Sequence, residues 1–351
     1  MRREIILYFA HTPFIYCKNV IELNKDIFER NEKMKTLNAI NAIRDNIKKS
    51  IVGNDEAIDL LLISLFAGGH TLLEDVPGTG KTMLVKSLAA SVSCKFGRIQ
   101  FTPDLLPSDI TGVNFFNMKK SEFEFIPGAV FSNILLADEI NRATPRTQSG
   151  LLECMEERQA TIDGKTYKFD APFMVVATQN PVENMGTFPL PEAQLDRFLV
   201  KTSLGYPKIE DNVEILARFG ASSEVKGAEP VATAEDVIAA QEAHARIFAH
   251  RDLLRYISVI VDKTRSAAGV LLGVSPRGAI ALLKVAKGFA LLEGRAYITP
   301  DDVKKAAVPT LAHRLVLTGA EQLKKDAAKA IIEEILETTP VPTEAHFDGI
   351  S

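Results

Sequence analysis

Little in this chain invites a disulfide, metal or membrane reading. Its 351 residues hold three cysteines, Cys17, Cys94 and Cys154, at no paired spacing. That excludes a disulfide framework and fits the reducing cytoplasm. The six histidines are dispersed, and His244 and His250 do not share a helix face, so no ligand cluster stands out. No apolar run approaches the roughly 18 residues that a membrane-spanning helix needs. The start, Met1 to His11, puts two arginines before a short apolar run. That run is too brief for a signal peptide, and no small-residue cleavage site follows it. A dominant charge is missing too: a net charge of −4 and a pI near 6.0 leave no electrostatic footprint for nucleic acid. What the chain does have is 46% hydrophobic residues, enough for one substantial core and a smaller one. No internal repeat or low-complexity segment is visible.

The most telling stretch runs from Leu72 to Thr82, Leu-Leu-Glu-Asp-Val-Pro-Gly-Thr-Gly-Lys-Thr. An apolar strand ends, a Gly/Pro turn follows, and Gly80-Lys81-Thr82 opens a helix. That order describes a phosphate-binding loop: backbone N–H groups wrap the phosphates, Lys81 neutralises the β/γ oxygens and the Thr82 hydroxyl reaches Mg²⁺. The helix starting at Lys81 adds the positive end of its dipole. Asp75 stands where the usual pattern has its first glycine, whereas Gly78 and Gly80 are kept. A second apolar run, Ile134 to Ala137, ends in Asp138-Glu139. In a parallel sheet flanked by helices, such runs are central strands and ligands sit at their carboxyl ends. Asp138 would hold Mg²⁺, largely through water, and Glu139 would orient the attacking water.

A third strand, Phe173 to Thr178, ends in Gln179-Asn180-Pro181, which reads either as a turn or as an amide aimed at the γ-phosphate. Leu190 to Phe198 then supplies Arg197 near the start of another strand, Leu199 to Leu204. Ser275-Pro276-Arg277 puts an arginine at a helix start, where proline suits the first turn. Ala279, Leu282, Leu283, Ala286, Phe289 and Ala290 form one apolar face of that helix. Singly, each arginine reads as a surface ion-pair residue.

From about Leu37 to Leu336 the chain resembles the MoxR family of AAA+ ATPases. The likeness is carried by residues 75–82, by Thr102 to Asp109, by Leu136-Ala137-Asp138-Glu139-Ile140-Asn141-Arg142 and by Thr187 to Phe198. Asp75 is common in that family, and Ala129 replaces a frequent proline. The resemblance implies that Val52 and Gly53, within Ile51 to Asn54, hold the adenine. It implies that Val76, Pro77, Gly78, Thr79, Gly80, Lys81, Thr82 and Met83 form the nucleotide cradle of ATP, with Thr82 and Asp138 serving the metal. Asn180 would sense the γ-phosphate. Arg197 resembles an arginine finger reaching a neighbouring subunit's nucleotide. Arg277 resembles a second sensor, carried on the lid and closing over the same nucleotide. Arg142 is a further candidate for the subunit interface. A finger supplied in trans can be worth about 10³–10⁵ in rate, so a monomer should hydrolyse ATP poorly.

Two insertions are expected. Thr111 to Ile126 reads as a hairpin turning at Lys119-Lys120-Ser121, an insert that the resemblance puts within the second helix. Ala160 to Phe169 is a hairpin with an Asp163-Gly164 turn. In related motors such hairpins point into a central pore; surface decoration is the alternative.

The fold class is therefore α/β: an AAA+ P-loop domain, a parallel sheet flanked by helices with two hairpin insertions, followed by an all-helical lid. The divisions are an N-terminal extension (1–35), the nucleotide-binding domain (36–204), the lid (205–338) beyond a Gly205-Tyr206-Pro207 hinge, and a tail (339–351). The extension reads either as a disordered appendage or as the product of an upstream start, with Met34 the natural beginning. By resemblance, the expected activity is Mg²⁺-dependent ATP hydrolysis in a ring, a hexamer, that remodels a client protein with a von Willebrand factor A domain partner. No nucleic acid and no membrane insertion are expected. A magnesium-chelatase-type motor subunit and an ATP-gated scaffold with negligible turnover are the alternatives. The scaffold is disfavoured because a pure binder needs none of Glu139, Asn180 and Arg197. A small-molecule kinase is disfavoured because a trans finger and a helical lid serve assembly.

Overall fold

The computed structural model describes residues 34–180, 186–220, 229–324 and 326–342. Most of the expected N-terminal extension and of the tail lies outside the described residues. Helix α1 (34–50) buries Ile40, Ile43 and Ile47 along one stripe. After it come α2 (Asp55–Phe66), β1 (Thr71–Glu74), α3 (Lys81–Ser91), β2 (Phe96–Gln100) and the short α4 (Pro107–Thr111). The hairpin β3 (Gly112–Asn117) and β4 (Glu122–Pro127) precedes β5 (Ile134–Asp138) and α5 (Pro145–Glu157). A second hairpin, β6 (Gln159–Ile162) and β7 (Lys165–Lys168), leads to β8 (Met174–Gln179), α6 (Glu192–Leu195) and β9 (Val200–Thr202).

The five strands β2-β5-β8-β1-β9 form one parallel sheet in that order. Successive residues of its central strands point to opposite faces, and each face has its own core. Leu73, Ile134, Leu136, Met174 and Val176 join Leu84, Val85 and Leu88 of α3 and the helices beyond the hinge. Leu72, Leu135, Ala137, Val175 and Ala177 join Leu151 and Leu152 of α5, with Phe101 and Phe198. Burial on both faces is why these strands read as unbroken apolar runs.

The hairpin 112–127 follows five-residue α4, and no described helix resumes between it and β5. It therefore lies after a helical turn rather than inside a helix. In the other hairpin, Asp163 (φ 49°) and Gly164 (φ 80°) make the left-handed two-residue turn that the Asp-Gly pair predicts. The two insertions, read separately, pack together. Phe125 of β4 stacks on Tyr167 of β7 at 4.3 Å between ring centroids, and Asn114 Nδ2 donates to Asp163 Oδ2 at 2.8 Å. Their outer aromatics stay exposed, with Phe116 and Phe123 meeting edge to face at 5.3 Å.

Beyond the hinge stand α7 (Ile209–Phe219), α8 (Ala234–Arg246), α9 (Arg251–Ser266), β10 (Val270–Leu272), α10 (Pro276–Leu292), α11 (Pro300–Leu311), β11 (Val316–Leu317), α12 (Gly319–Gln322) and α13 (Ala327–Thr338). Reciprocal capping boxes start α8 (Thr233, Asp236) and α11 (Thr299, Asp302). Tyr256, Ile257, Ile260 and Val261 of α9 are buried in the core, as their stripe predicts. This region is helical except for the antiparallel pair β10–β11, whose few residues carry no periodicity to distinguish them from loop. Helix α10 buries a wider surface than its predicted face. Ala281 and Val285 are fully enclosed, whereas Ala279, Leu283 and Phe289 are only partly buried. The reason is that α10 is packed by α2, α8, α9 and α11. Its approach to α2 requires Gly288, where a Cβ would meet Ile63 Cγ2 at 2.3 Å.

Candidate functional site

The phosphate loop leaves the C-terminal end of β1, a strand with a neighbour on each side. Gly78 (φ 83°) and Gly80 (φ 91°) adopt left-handed backbone, and an added Cβ at either would meet nothing within 4 Å. Conformation, not crowding, therefore demands glycine there. Gly80 caps α3 without a side-chain hydrogen bond, and no acid occupies the first turn. The first N–H groups of α3 are thus free of the usual side-chain cap, the arrangement that suits a phosphate. Lys81 Nζ donates to the Asp75 carbonyl at 2.8 Å, so the lysine lies back across the loop it belongs to.

Asp75 has a role that its place in the pattern does not reveal. Its buried carboxylate accepts from Val76 N–H at 3.0 Å through one oxygen, and from Leu204 N–H at 2.8 Å and Gly205 N–H at 3.0 Å through the other. One side chain thus ties the start of the phosphate loop to the hinge. The segment expected to hold the adenine lies beside the same hinge: Val52 is buried, Gly53 has φ 70°, and a Cβ on Gly53 would meet Asp211 Oδ2 of α7 at 2.7 Å. Met83 packs against the core under α3.

Asp138 ends β5, buried, with Oδ1 accepting from Thr178 Oγ1 at 2.6 Å and Oδ2 from Arg98 Nη2 at 2.8 Å. Glu139 turns into left-handed backbone (φ 57°), anchored by its N–H to Thr178 Oγ1 at 2.8 Å. Its Oε2 accepts from Gln100 Nε2 at 2.7 Å and pairs with Arg142 Nε at 3.0 Å. Asn180 is buried directly after β8, the strand between β5 and β1. The loop, both carboxylates and Asn180 therefore share the C-terminal edge of the sheet. Among the described residues no group of three or more His, Cys, Asp or Glu could hold a metal. Mg²⁺ needs few protein ligands because it shares the substrate's phosphates; of the two residues expected to hold it, Thr82 and Asp138, the Asp138 carboxylate is here engaged by Thr178 and Arg98. Among the described residues no reactive thiol competes as a nucleophile: burial pushes Cys154 up to about 12 and Cys94 up to about 11.

Arg197 and Arg277 lie elsewhere. Arg197 Nη1 reaches Glu156 Oε2 at 2.7 Å and the Leu152 carbonyl at 3.0 Å, and Arg277 Nη2 pairs with the other oxygen, Glu156 Oε1. The cavity they line includes Gly68, Gly69 and His70, which precede β1. They are thus at the N-terminal edge, separated from the loop by the length of the strand, about 16 Å at ~3.3 Å per residue from His70 to Asp75. The start of α10 is held there by its N-cap Ser275, whose Oγ donates to Asp196 Oδ2 at 3.2 Å, and Arg314, after α11, donates its Nε to the other oxygen, Asp196 Oδ1, at 2.7 Å. Arg277 therefore faces away from Lys81 of its own chain. His70 supports this edge from inside: Nε2 donates to the Met155 carbonyl at 3.0 Å, Nδ1 accepts from Val175 N–H at 2.9 Å, and burial lowers the ring to about 4.

Reading the sequence missed Arg98, Gln100, Glu156 and Arg314. Arg98 and Gln100 share one face of edge strand β2, a period-2 signal that was available. Glu156 and Arg314 sit in helical surroundings whose charges read as solvated, and nothing local marks their partners.

A parallel sheet with its phosphate loop after a central strand, a carboxylate pair beside it and a helical lid beyond a hinge defines a P-loop ATPase of the AAA+ class. The profile of the ATPase family associated with various cellular activities (AAA) matches residues 70–200, and that of the AAA lid domain matches 262–335. The uncharacterized protein YeaC of Bacillus subtilis is 49% identical, over 86% of this chain and 94% of that one. Chaperone MoxR1 of Mycobacterium tuberculosis is 41% identical, over 84% and 80%. The crystal structure of a putative ATPase from Cytophaga hutchinsonii superposes with a TM-score of 0.85 at 39% identity, covering 92% of this chain and all 100% of that one. The chain belongs to the MoxR family of AAA+ ATPases.

Proposed function

We propose that the chain is a Mg²⁺-dependent ATP hydrolase whose active sites are shared between subunits of a ring, a hexamer, and whose cycle remodels a client protein. The observation that carries this reading is the separation of the two halves of the site. Lys81, Thr82, Asp138, Glu139 and Asn180 lie at one edge of the sheet, whereas Arg197 and Arg277 meet at the other. One subunit offers the loop and the next offers the arginines. Lys81 and the α3 N-terminus bind the phosphates, Val52 and Gly53 line the base, and Thr82 and Asp138 hold Mg²⁺. Bound Mg²⁺ neutralises charge on the β and γ oxygens. Glu139, released from Gln100 and Arg142, polarises the attacking water; Asn180 orients it against the γ-phosphate. Phosphoryl transfer is mostly positioning and charge stabilisation, so the arginines of the adjoining subunit set the rate.

A protein client and a von Willebrand factor A domain partner follow from the family resemblance, and the chaperone name of one relative supports the first. A cytoplasmic site of action is inferred from the unpaired spacing of the cysteines; among the described residues no helix is long and apolar enough to cross a membrane. The test is ATPase rate against protein concentration for wild type, Glu139→Gln, Arg197→Ala and a mixture of the two variants. A specific rate that rises with concentration, falls in both variants and partly recovers on mixing supports shared sites, since mixed interfaces pair an intact Glu139 with an intact Arg197. A concentration-independent rate with active Arg197→Ala rejects them.

A further inference from the structure

We infer that Glu156 is a placeholder for the adjoining subunit's γ-phosphate: it holds Arg197 and Arg277 until that phosphate displaces it, and its release is transmitted to the β6–β7 hairpin. The inference rests on the proposed trans role of the two arginines. One carboxylate serves both, each oxygen taking a guanidinium from a different part of the chain, one next to β9 and one from the start of α10. A phosphate presents the same acceptors with more charge, and guanidinium binds carboxylate and phosphate through one geometry.

The charge balance favours exchange. Five cations line the cavity, Arg158, Arg197, Arg277, Lys284 and Arg314, against two carboxylates, Glu156 and Asp196. Asp196 is committed to Arg314 and Ser275, which leaves Glu156 as the under-matched anion. Its side chain is 32% exposed, and those of Arg197 and Arg277 are 32% and 48% exposed, so an incoming anion can reach them. Ion pairs this open are weak and readily exchanged. Nor does docking of α10 rest on Glu156 alone, because Asp196 already anchors its N-cap Ser275.

Glu156 also sits in the last turn of α5. Two residues on, Arg158 closes that helix with left-handed backbone (φ 52°), its N–H donating to the Cys154 carbonyl at 3.0 Å. The Arg158 carbonyl in turn accepts from Phe169 N–H at 3.1 Å, at the base of the hairpin. A shift of Glu156 therefore moves the support on which β6 and β7 hang.

The experiment uses the full chain at ring-forming concentration, with Glu156→Gln, Glu156→Asp and Arg197→Ala beside wild type. Half-saturating ATP is measured in steady state, and hydrogen exchange of residues 159–168 with and without a non-hydrolysable ATP analogue. Glu156→Gln removes the competing charge and should lower half-saturating ATP about two- to fivefold. Its hairpin exchange should no longer depend on the analogue, while Glu156→Asp keeps both wild-type responses. Unchanged half-saturation overturns the placeholder, as does a loss confined to kcat, which is what a merely structural prop would produce. Wild-type hairpin exchange that ignores the analogue overturns the link to the hairpin. If Arg197→Ala turns over like wild type, the trans reading falls and takes this inference with it. If Arg197→Ala is inactive while Glu156→Gln matches wild type throughout, Glu156 alone is rejected.

Discussion

The two ends of β1 are built by different means. At the C-terminal end nearly every group is set by local backbone: left-handed glycines at 78 and 80, an uncapped helix start at Lys81, and carboxylates where β5 stops. At the N-terminal end, side chains distant in sequence converge. Arg197 and Arg277 meet on Glu156, and Asp196 gathers Ser275 and Arg314. The first end is preorganised by short-range geometry and suits a ligand that must always bind the same way. At the second, the pairs of Arg197 and Arg277 with Glu156 are partly exposed and can be exchanged at small cost, which suits a partner that comes and goes.

Removing one charge from each end should break the comparison most sharply. Lys81→Ala should lose nucleotide binding and turnover together. Arg197→Ala should weaken ATP binding only a few-fold, by losing one exposed charge contact, and lose about 10³-fold or more in kcat. Nucleotide binding by fluorescence, run beside steady-state hydrolysis, separates the two outcomes. A parallel loss of affinity in both variants would erase the distinction drawn between the ends.

Acid should sharpen it next, by weakening the N-terminal end. The fold holds His70 neutral at about 4, below the ordinary 6.5 of the unfolded chain. Between those values the unfolded state binds the extra proton, so stability is complete above pH 6.5 and falls as pH drops toward 4. The full effect is about 3 kcal/mol. Buried His244 and His313 are lowered by burial in the same direction. Denaturant midpoints measured from pH 7.5 to 4.5 should fall below pH 6.5, and a flat profile would contradict the buried neutral ring.

The smallest effect belongs to the clamp at the other end. Asp75→Asn keeps one oxygen but turns an N–H₂ toward backbone donors, and should cost about 1–3 kcal/mol. Equilibrium denaturation checks this. A variant as stable as wild type would show that the tie between the phosphate loop and Leu204-Gly205 contributes nothing.

How much was legible in advance follows the same division. Lys81, Asp138, Glu139 and Asn180 follow closely on the strands that precede them, so apolar runs with polar ends marked their positions, while the roles expected of them came from the family resemblance. The parallel sheet, both hairpins and the start of α11 at Thr299 were readable for that reason too. Glu156 was invisible, because a glutamate in the last turn of an amphipathic helix looks like any solvated one. The β10–β11 pair is too short to express a period. On α10, one predicted stripe became burial on several sides, since packing by four neighbouring helices overrides a single-face pattern. Asp75 was noticed as a departure from the glycine pattern, but its three backbone partners lie partly more than a hundred residues away.

The stacking of Phe125 on Tyr167, braced by Asn114 and Asp163, has a mechanical consequence. A lone two-stranded ribbon bends easily, but two ribbons joined face to face resist bending as a laminate resists it. A load applied near exposed Met118 would then be borne by both hairpins and delivered undamped to the base of the second, where Phe169 meets the end of α5. The stiffness of that projection is set by the Phe125–Tyr167 stack and the Asn114–Asp163 hydrogen bond together.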